Sequence, residues 1–360
     1  MSVPLLRVLV VLILLGAAPA AAFAQAPFPA PVEGDFVARD VTFASGERLP
    51  EVRLHYRTIG TPRKDAAGVV RNAVLILHGT GGSGAGFLSP TYGGRLFGKG
   101  QLLDAERYFI VLPDNVGHGA SSKPSDGLRM RFPAYRYTDM VRLQHRLLTE
   151  GLGVHHLRLV MGTSMGAMHA WMWGYLFPAF ADGLVPLASN PVEIAGRNRM
   201  WRKALVDAIV TDPTWQHGEY TEPPRGMASA LGFLLIATST PMQWQTERPT
   251  AAAVDAWLAD QIAARLKTTD ANDTIYHFRA SEDYDPSPHL ASITAPLLAI
   301  NSADDFVNPP ELPMMQELIG KVRHGRFVLL PATPETRGHG THSLPAVWGH
   351  HLAAFLKTLP

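Results

Sequence analysis

The sequence predicts an α/β fold: a mostly parallel sheet flanked by helices, with a block of helices inserted late in the chain. Three observations carry this. Short apolar runs at 73–77, 108–112, 157–161, 183–187, 296–300 and 326–330 have the length and composition of buried strands. Gly- or Ser-rich loops and helix-compatible stretches alternate with them, as in sheets built with right-handed crossovers. Between 191 and 290 no convincing strand appears. Helical segments at 194–210, 226–238 and 251–266 are instead separated by Pro223-Pro224, Pro241 and Pro249.

In chain order, the N-terminus reads as a separate object. Arg7 precedes a purely apolar stretch at 8–15, followed by a small, Ala-rich segment ending in Ala22-Phe23-Ala24. That is the pattern of a signal peptide over residues 1–24, cut after Ala24. Its apolar core is too short to span a bilayer, so no stable membrane anchor is expected once it is removed. The expected location is the periplasm or the exterior. The chain has no cysteine, which excludes disulfides, a thiol nucleophile and a cysteine-linked lipid. Residues 25–35 are Pro- and Ala-rich and read as a linker. Segments 36–43 and 52–59 alternate apolar and polar residues, as in a hairpin at a sheet edge. The core then occupies 36–190 and 291–360, with a helical lid at 191–290. With 360 residues, 46% of them hydrophobic, the chain can bury a sizeable core. Net charge is +1, with no run of like charges, so neither nucleic acid nor an anionic membrane surface is an expected partner.

The run at 73–77 leads into His78-Gly79-Thr80-Gly81-Gly82-Ser83-Gly84. A phosphate-binding P-loop would need a Gly-Lys-Ser/Thr after four spacer residues, and no lysine appears before Lys99. A loop offering backbone N–H groups to an oxyanion fits better, with Thr80 as the nominated donor. His78 is given no chemical role. The strand at 108–112 is followed by Pro113-Asp114-Asn115 and a second loop, Gly117-His118-Gly119-Ala120-Ser121-Ser122. The helix expected at 136–150 places Met140, Val141, Leu143, Leu147 and Leu148 on one face.

The strand at 157–161 then meets Gly162-Thr163-Ser164-Met165-Gly166, and 167–177 is free of proline. Strand, tight turn and helix are the context of a nucleophile elbow. A Cβ at either glycine would collide with the neighbouring strand or helix, and Ser164 would stand over a helix N-terminus that favours negative charge. The Met165 N–H is the second oxyanion donor expected. A serine hydroxyl needs a base, and the base needs a carboxylate to hold its tautomer. Asp305, four residues before Pro309 in the loop after 296–300, is the acid chosen, with Asp304 as alternative. His339, after Gly338 and the last strand, is the base chosen, with His342 as alternative. Ser, Asp, His in that chain order belongs to the α/β-hydrolase arrangement. His339 and His342 have no third ligand at convincing spacing, and H-E-x-x-H is absent, so no metal is expected. Four of the seven tryptophans (Trp201, Trp215, Trp244 and Trp257) fall in the lid. Most should serve its core, some an acyl pocket.

Asp139-Met140-Val141 with Gln144, Leu152-Gly153-Val154, and Gly162-Thr163-Ser164-Met165-Gly166-Ala167-Met168-His169 resemble the homoserine O-acetyltransferase family of α/β-hydrolase fold proteins. That family has a Ser-Met-Gly-Gly-Met elbow after an Asp-Met-Val helix. The stretch from Arg199-Met200-Trp201 to Asp212-Pro213-Thr214-Trp215, the 302–309 loop and Gly338-His339 are also similar. The resemblance implies Ser164, Asp305 and His339 as triad beneath a helical lid, and a homodimer. Two features depart from it. The 117–125 loop reads Gly-His-Gly-Ala-Ser-Ser-Lys-Pro-Ser instead of carrying a Gly-Ser-Thr-Gly-Pro box. An exported enzyme would also be parted from cytoplasmic acetyl-CoA and homoserine. The expectation is therefore an exported serine hydrolase acting on a small acyl substrate without cofactor. Acyl transfer by the same triad is the alternative, and a non-catalytic binding protein on a hydrolase scaffold the third reading.

Overall fold

The computed structural model describes residues 28–360; the expected signal peptide lies outside the described residues. Eight strands form one sheet in the order β1-β2-β4-β3-β5-β6-β7-β8. They are β1 Val32–Thr42, β2 Arg48–Ile59, β3 Ala73–Leu77, β4 Phe109–Pro113, β5 Leu159–Thr163, β6 Leu184–Leu187, β7 Leu297–Ser302 and β8 Gly325–Leu330. β1 pairs antiparallel with β2, and β2 with β4; every other pairing is parallel. Every residue of β3, β4, β5, β6 and β7 is buried, which is why their sequences are continuous apolar runs instead of alternating ones.

The hairpin lies at the sheet edge as expected, but β1 begins at Val32, so residues 32–35 are strand and not linker. The ladder explains this. Val32 pairs with Thr58 and Asp35 with His55, and these backbone bonds do not require apolar side chains. Cross-strand contacts from Arg57 to Glu33 (2.8 Å) and between His55 and Asp35 (2.9 Å) add to it. Gly34 leaves room for Tyr56, whose hydroxyl would lie 2.6 Å from an added Cβ.

The helices are α1 Gly93–Leu96, α2 Tyr137–Arg146, α3 Met165–Leu176, α4 Gly196–Val210, α5 Arg225–Ala237, α6 Pro241–Glu247, α7 Ala251–Leu266, α8 Ala271–Arg279, α9 Met314–Leu318 and α10 Pro345–Leu356. The segment between β6 and β7 contains α4 to α8 and no strand. It has its own apolar cluster, including Leu205, Ile209, Met227, Leu231, Ile275 and Phe278. The polar face of α8 concealed it in the sequence. Asp270 caps it by accepting from the Asp273 N–H, Asn272 accepts from Trp215 Nε1, and Asp273 accepts from both the N–H and hydroxyl of Ser125. These bonds let a polar helix lie buried between the helical layer and the 117–126 loop.

Candidate active site

Ser164 joins β5 to α3 with φ 53° and ψ −113°, a left-sided conformation that a non-glycine residue holds only when its surroundings impose it. The surroundings here are two close approaches. A Cβ on Gly162 would lie 2.2 Å from the Gly166 carbonyl oxygen, and one on Gly166 would lie 2.0 Å from that of Leu77. The elbow therefore packs backbone against backbone on both sides, and the Ser164 side chain is the part left facing out. Met165 opens α3, so its N–H is one of those at a helix start that the helix itself cannot pair.

The loop after β8 brings His339 to Ser164. His339 Nε2 lies 2.8 Å from Ser164 Oγ, and Nδ1 lies 2.9 Å from Asp305 Oδ2. Asp305 is 1% exposed. Burial pushes its carboxyl up, but the imidazole of His339 and hydrogen bonds from His339, Asn308 and the Val307 N–H more than offset this and hold it below the ordinary range. Asn308 Nδ2 also donates to the Ala188 carbonyl, tying the acid loop to the end of β6.

The two alternatives occupy other places. Asp304 accepts from Ser302 Oγ, Thr336 Oγ1 (2.7 Å) and the Gly338 N–H (3.0 Å), so it anchors the loop that carries His339. His342 pairs through Nδ1 with Ser343 Oγ at 2.9 Å and packs edge-on to His339, ring centroids 5.2 Å apart. Among the described residues, no three His, Asp or Glu side chains converge as a metal site.

Ser164 and His339 open into a cavity of about 400 Å³. Gly79 and Thr80 form one wall, with Gly79 so close that a Cβ there would lie 3.3 Å from that of Ser164. Helices of the inserted segment close the other side through Trp201, Arg202, Leu234 and Phe278. Of the four tryptophans there, only Trp201 reaches the cavity. Trp215 belongs to the segment's core, and Trp244 and Trp257 pack on each other at 4.1 Å. The lining includes Arg202 and Arg265 and no carboxylate. Arg202 is 3% exposed and makes no ion pair among the described residues. Its Nε donates to Asn198 Oδ1 at 2.8 Å, and Nη1 lies 3.4 Å from Ser281 Oγ. Burial pushes its guanidinium below its ordinary value, opposed by the nearby Tyr137 hydroxyl. A buried cation without a counter-ion is costly, and it faces the space where a substrate would sit.

Sequence reasoning overlooked Asn308 and Arg202. The Asn308-Pro309 pair beside the acid was visible but silent about partners. Arg202 looks like any arginine of an amphipathic helix until α4 is folded over Ser164.

Residues 72–225 match the family model described as the alpha/beta hydrolase fold. The chain is 31% identical over 323 residues to a homoserine O-acetyltransferase of Moorella thermoacetica, covering 78% of this chain and 83% of that protein. Two solved structures each have a TM-score of 0.79 and cover 91% of this chain. Esterase E22 is 21% identical and covered over 100% of its length, and a homoserine O-acetyltransferase from Bacillus anthracis is 20% identical and covered over 98%.

Proposed function

The chain belongs to the homoserine O-acetyltransferase family of α/β-hydrolase fold proteins, and from that premise we propose an exported serine hydrolase that cleaves a small ester through an acyl-enzyme. The observation that carries this reading is the single imidazole within hydrogen-bond reach of both Ser164 Oγ and Asp305 Oδ2. His339 Nε2 takes the hydroxyl proton as Ser164 Oγ attacks the ester carbonyl. Asp305 stays ionised, holds the proton on Nδ1 and stabilises the imidazolium. The oxyanion is met by the Thr80 and Met165 N–H groups, each worth about 10²–10³ in rate. The tetrahedral intermediate collapses, the C–O bond to the alcohol breaks, and His339 gives the leaving oxygen its proton. Water, deprotonated by the same imidazole, then releases the acid and restores Ser164.

A fluorophosphonate probe should label the folded wild type on Ser164 and fail to label Ser164→Ala, which should also lose ester turnover. Unlabelled, folded wild type would refute the nucleophile. Turnover unchanged by Ser164→Ala would favour the binding-protein reading.

The second reading, acyl transfer to an alcohol acceptor, is supported by Arg202. Its buried guanidinium, with no ion-pair partner among the described residues, suits an acceptor or acyl group that carries a carboxylate. Incubation with an acyl donor plus homoserine distinguishes the two: O-acylhomoserine above the hydrolysed background makes the protein a transferase. Export rests on the 1–24 pattern, and N-terminal sequencing of the mature protein, expected to begin at Gln25, tests it.

A further inference from the structure

We infer that a buried, one-directional chain of hydrogen bonds, from Trp173 through Gln144, Asn115 and His78 to the Gly79 carbonyl, orients the peptide whose N–H serves the oxyanion. Asn115, Gln144 and His78 are thereby positioning residues for the reaction. The inference rests on the reading of Ser164 as nucleophile and Thr80 as donor.

The direction of the chain follows from groups that have only one role. Trp173 Nε1 can only donate, and it lies 2.8 Å from Gln144 Oε1. The Gln144 amide nitrogen is therefore a donor twice, to Asn115 Oδ1 at 2.5 Å and to His169 Nδ1 at 3.0 Å. That turns Asn115 Nδ2 towards His78 Nε2 at 3.1 Å. The Asn115 backbone N–H, also only a donor, points to the same nitrogen at 3.1 Å. His78 Nε2 is thus an acceptor, and the ring proton sits on Nδ1. Burial pushes the pKa of this imidazole below its ordinary value, so it stays neutral. Nδ1–H then donates to the Gly79 carbonyl at 2.8 Å, which also accepts from the Gly82 N–H at 3.0 Å.

The consequence lies on the other side of one peptide bond. In a trans peptide the carbonyl and the following N–H point in opposite directions. With the Gly79 oxygen clamped by His78 and Gly82, the Thr80 N–H points away from that oxygen, and the inference assigns it to the cavity that Thr80 and Ser164 both line. Gly79 itself packs on Ser164, so a rotation of this peptide would present a carbonyl oxygen where an oxyanion must be stabilised. All four side chains are nearly inaccessible: His78 3%, Asn115 2%, Gln144 2% and Trp173 1% exposed. Bulk solvent barely reaches these links, and a buried polar network of this kind can be worth more than its separate pairs.

Asn115→Asp tests the chain with no change of shape. A carboxylate accepts on both sides and so asks for a proton on His78 Nε2; a neutral ring that supplies it gives up Nδ1–H and leaves the Nδ1 lone pair against the Gly79 oxygen, whereas an imidazolium keeps Nδ1–H and should keep kcat. ¹⁵N NMR of the imidazoles, with His78 assigned by its loss in His78→Gln, should show the Nδ1–H tautomer in wild type and the Nε2–H tautomer in Asn115→Asp. For p-nitrophenyl acetate, kcat should fall by about 10²–10³, the effect of losing one oxyanion donor, with KM changed less than about threefold. Affinity for a trifluoromethyl ketone should fall by the same factor as kcat. Trp173→Phe should weaken kcat less, and combining it with Asn115→Asp should add nothing further. An Nε2–H tautomer in wild type overturns the inference whether or not any variant folds. So does an Asn115→Asp whose His78 has lost Nδ1–H with kcat unchanged, one whose His78 keeps Nδ1–H with kcat lost, or a loss confined to KM. Failure of the nucleophile reading shows separately, as absent labelling of Ser164 in a protein whose His78 tautomer is as described.

Discussion

Arg202→Met should act in opposite directions on stability and on one class of substrate. The guanidinium is 3% exposed and has no carboxylate partner among the described residues. Two hydrogen bonds, to Asn198 and Ser281, and the faces of Trp201 and Phe278 at 5.1 and 5.4 Å offset part of its desolvation. The effective penalty for burying such an ion is several kcal/mol. Methionine keeps the length and apolar stem while removing the charge. The lost hydrogen bonds cost about 1 kcal/mol each, and the relief of desolvation is at least comparable. Urea unfolding should therefore show a protein between unchanged and about 2 kcal/mol more stable. A substrate whose carboxylate meets Arg202 would lose a charged hydrogen bond worth about 1.5–3 kcal/mol, roughly 10- to 150-fold in kcat/KM. The assay compares p-nitrophenyl acetate with a p-nitrophenyl monoester of a dicarboxylic acid, and hydrolysis of O-acetylhomoserine with that of a neutral acetate. The neutral esters should change by less than about threefold. An equal loss on neutral and carboxylate-bearing esters, or a loss of stability beyond about 2 kcal/mol, would refute the argument and make Arg202 a structural prop.

Four further outcomes follow from the same geometry. Asp305→Asn should lower kcat by about 10⁴, because the amide favours the wrong imidazole tautomer. Asp304→Ala should instead unfold earlier in urea by about 1–3 kcal/mol, leaving the Gly338 N–H unpaired and Thr336 Oγ1 bonded to Thr333 alone, and should retain far more activity than Asp305→Asn. Gly166→Ala should fail to give folded protein, since its Cβ would meet a strand carbonyl at 2.0 Å, whereas Gly320→Ala, with open space around it, should shift stability by no more than about 0.5 kcal/mol. The buried histidines set the acid side of the stability curve. His118 lies well below the ordinary 6.5, His169 at about 3 and His277 at about 4, each chiefly because burial penalises the charged ring. Below pH 6.5 the unfolded chain binds protons that the folded one refuses, so stability is fully present above that pH and declines beneath it. The decline is about 1.4 kcal/mol per histidine per pH unit, so urea midpoints should drop between pH 6.5 and 5. A flat midpoint over that range would contradict it.

Much of the architecture was readable locally. A strand buried on both faces needs an unbroken apolar run, so β3, β4 and β5 were legible to within two residues. The elbow was legible because two close backbone approaches demand glycine at Gly162 and Gly166. Legibility failed where backbone pairing or polar capping replaced apolar pattern, at the start of β1 and at α8. Between neighbours in one loop the choice fell on Asp305 over Asp304, and Asp305 is the one that meets His339. A single residue step reverses which carboxylate faces the imidazole, and composition is blind to that step.

The residue types at the turns, the order Ser164, Asp305, His339 and the strand–helix rhythm were inherent in the linear chain, because covalent spacing and local sterics impose them. Which carboxylate meets which imidazole, that Arg202 has no counter-ion among the described residues, and that Trp173 reaches the Gly79 carbonyl through Gln144, Asn115 and His78 depend on segments distant in the chain. Hydrogen bonds and desolvation act over a few ångströms of space regardless of sequence separation, and only the folded molecule specifies those distances.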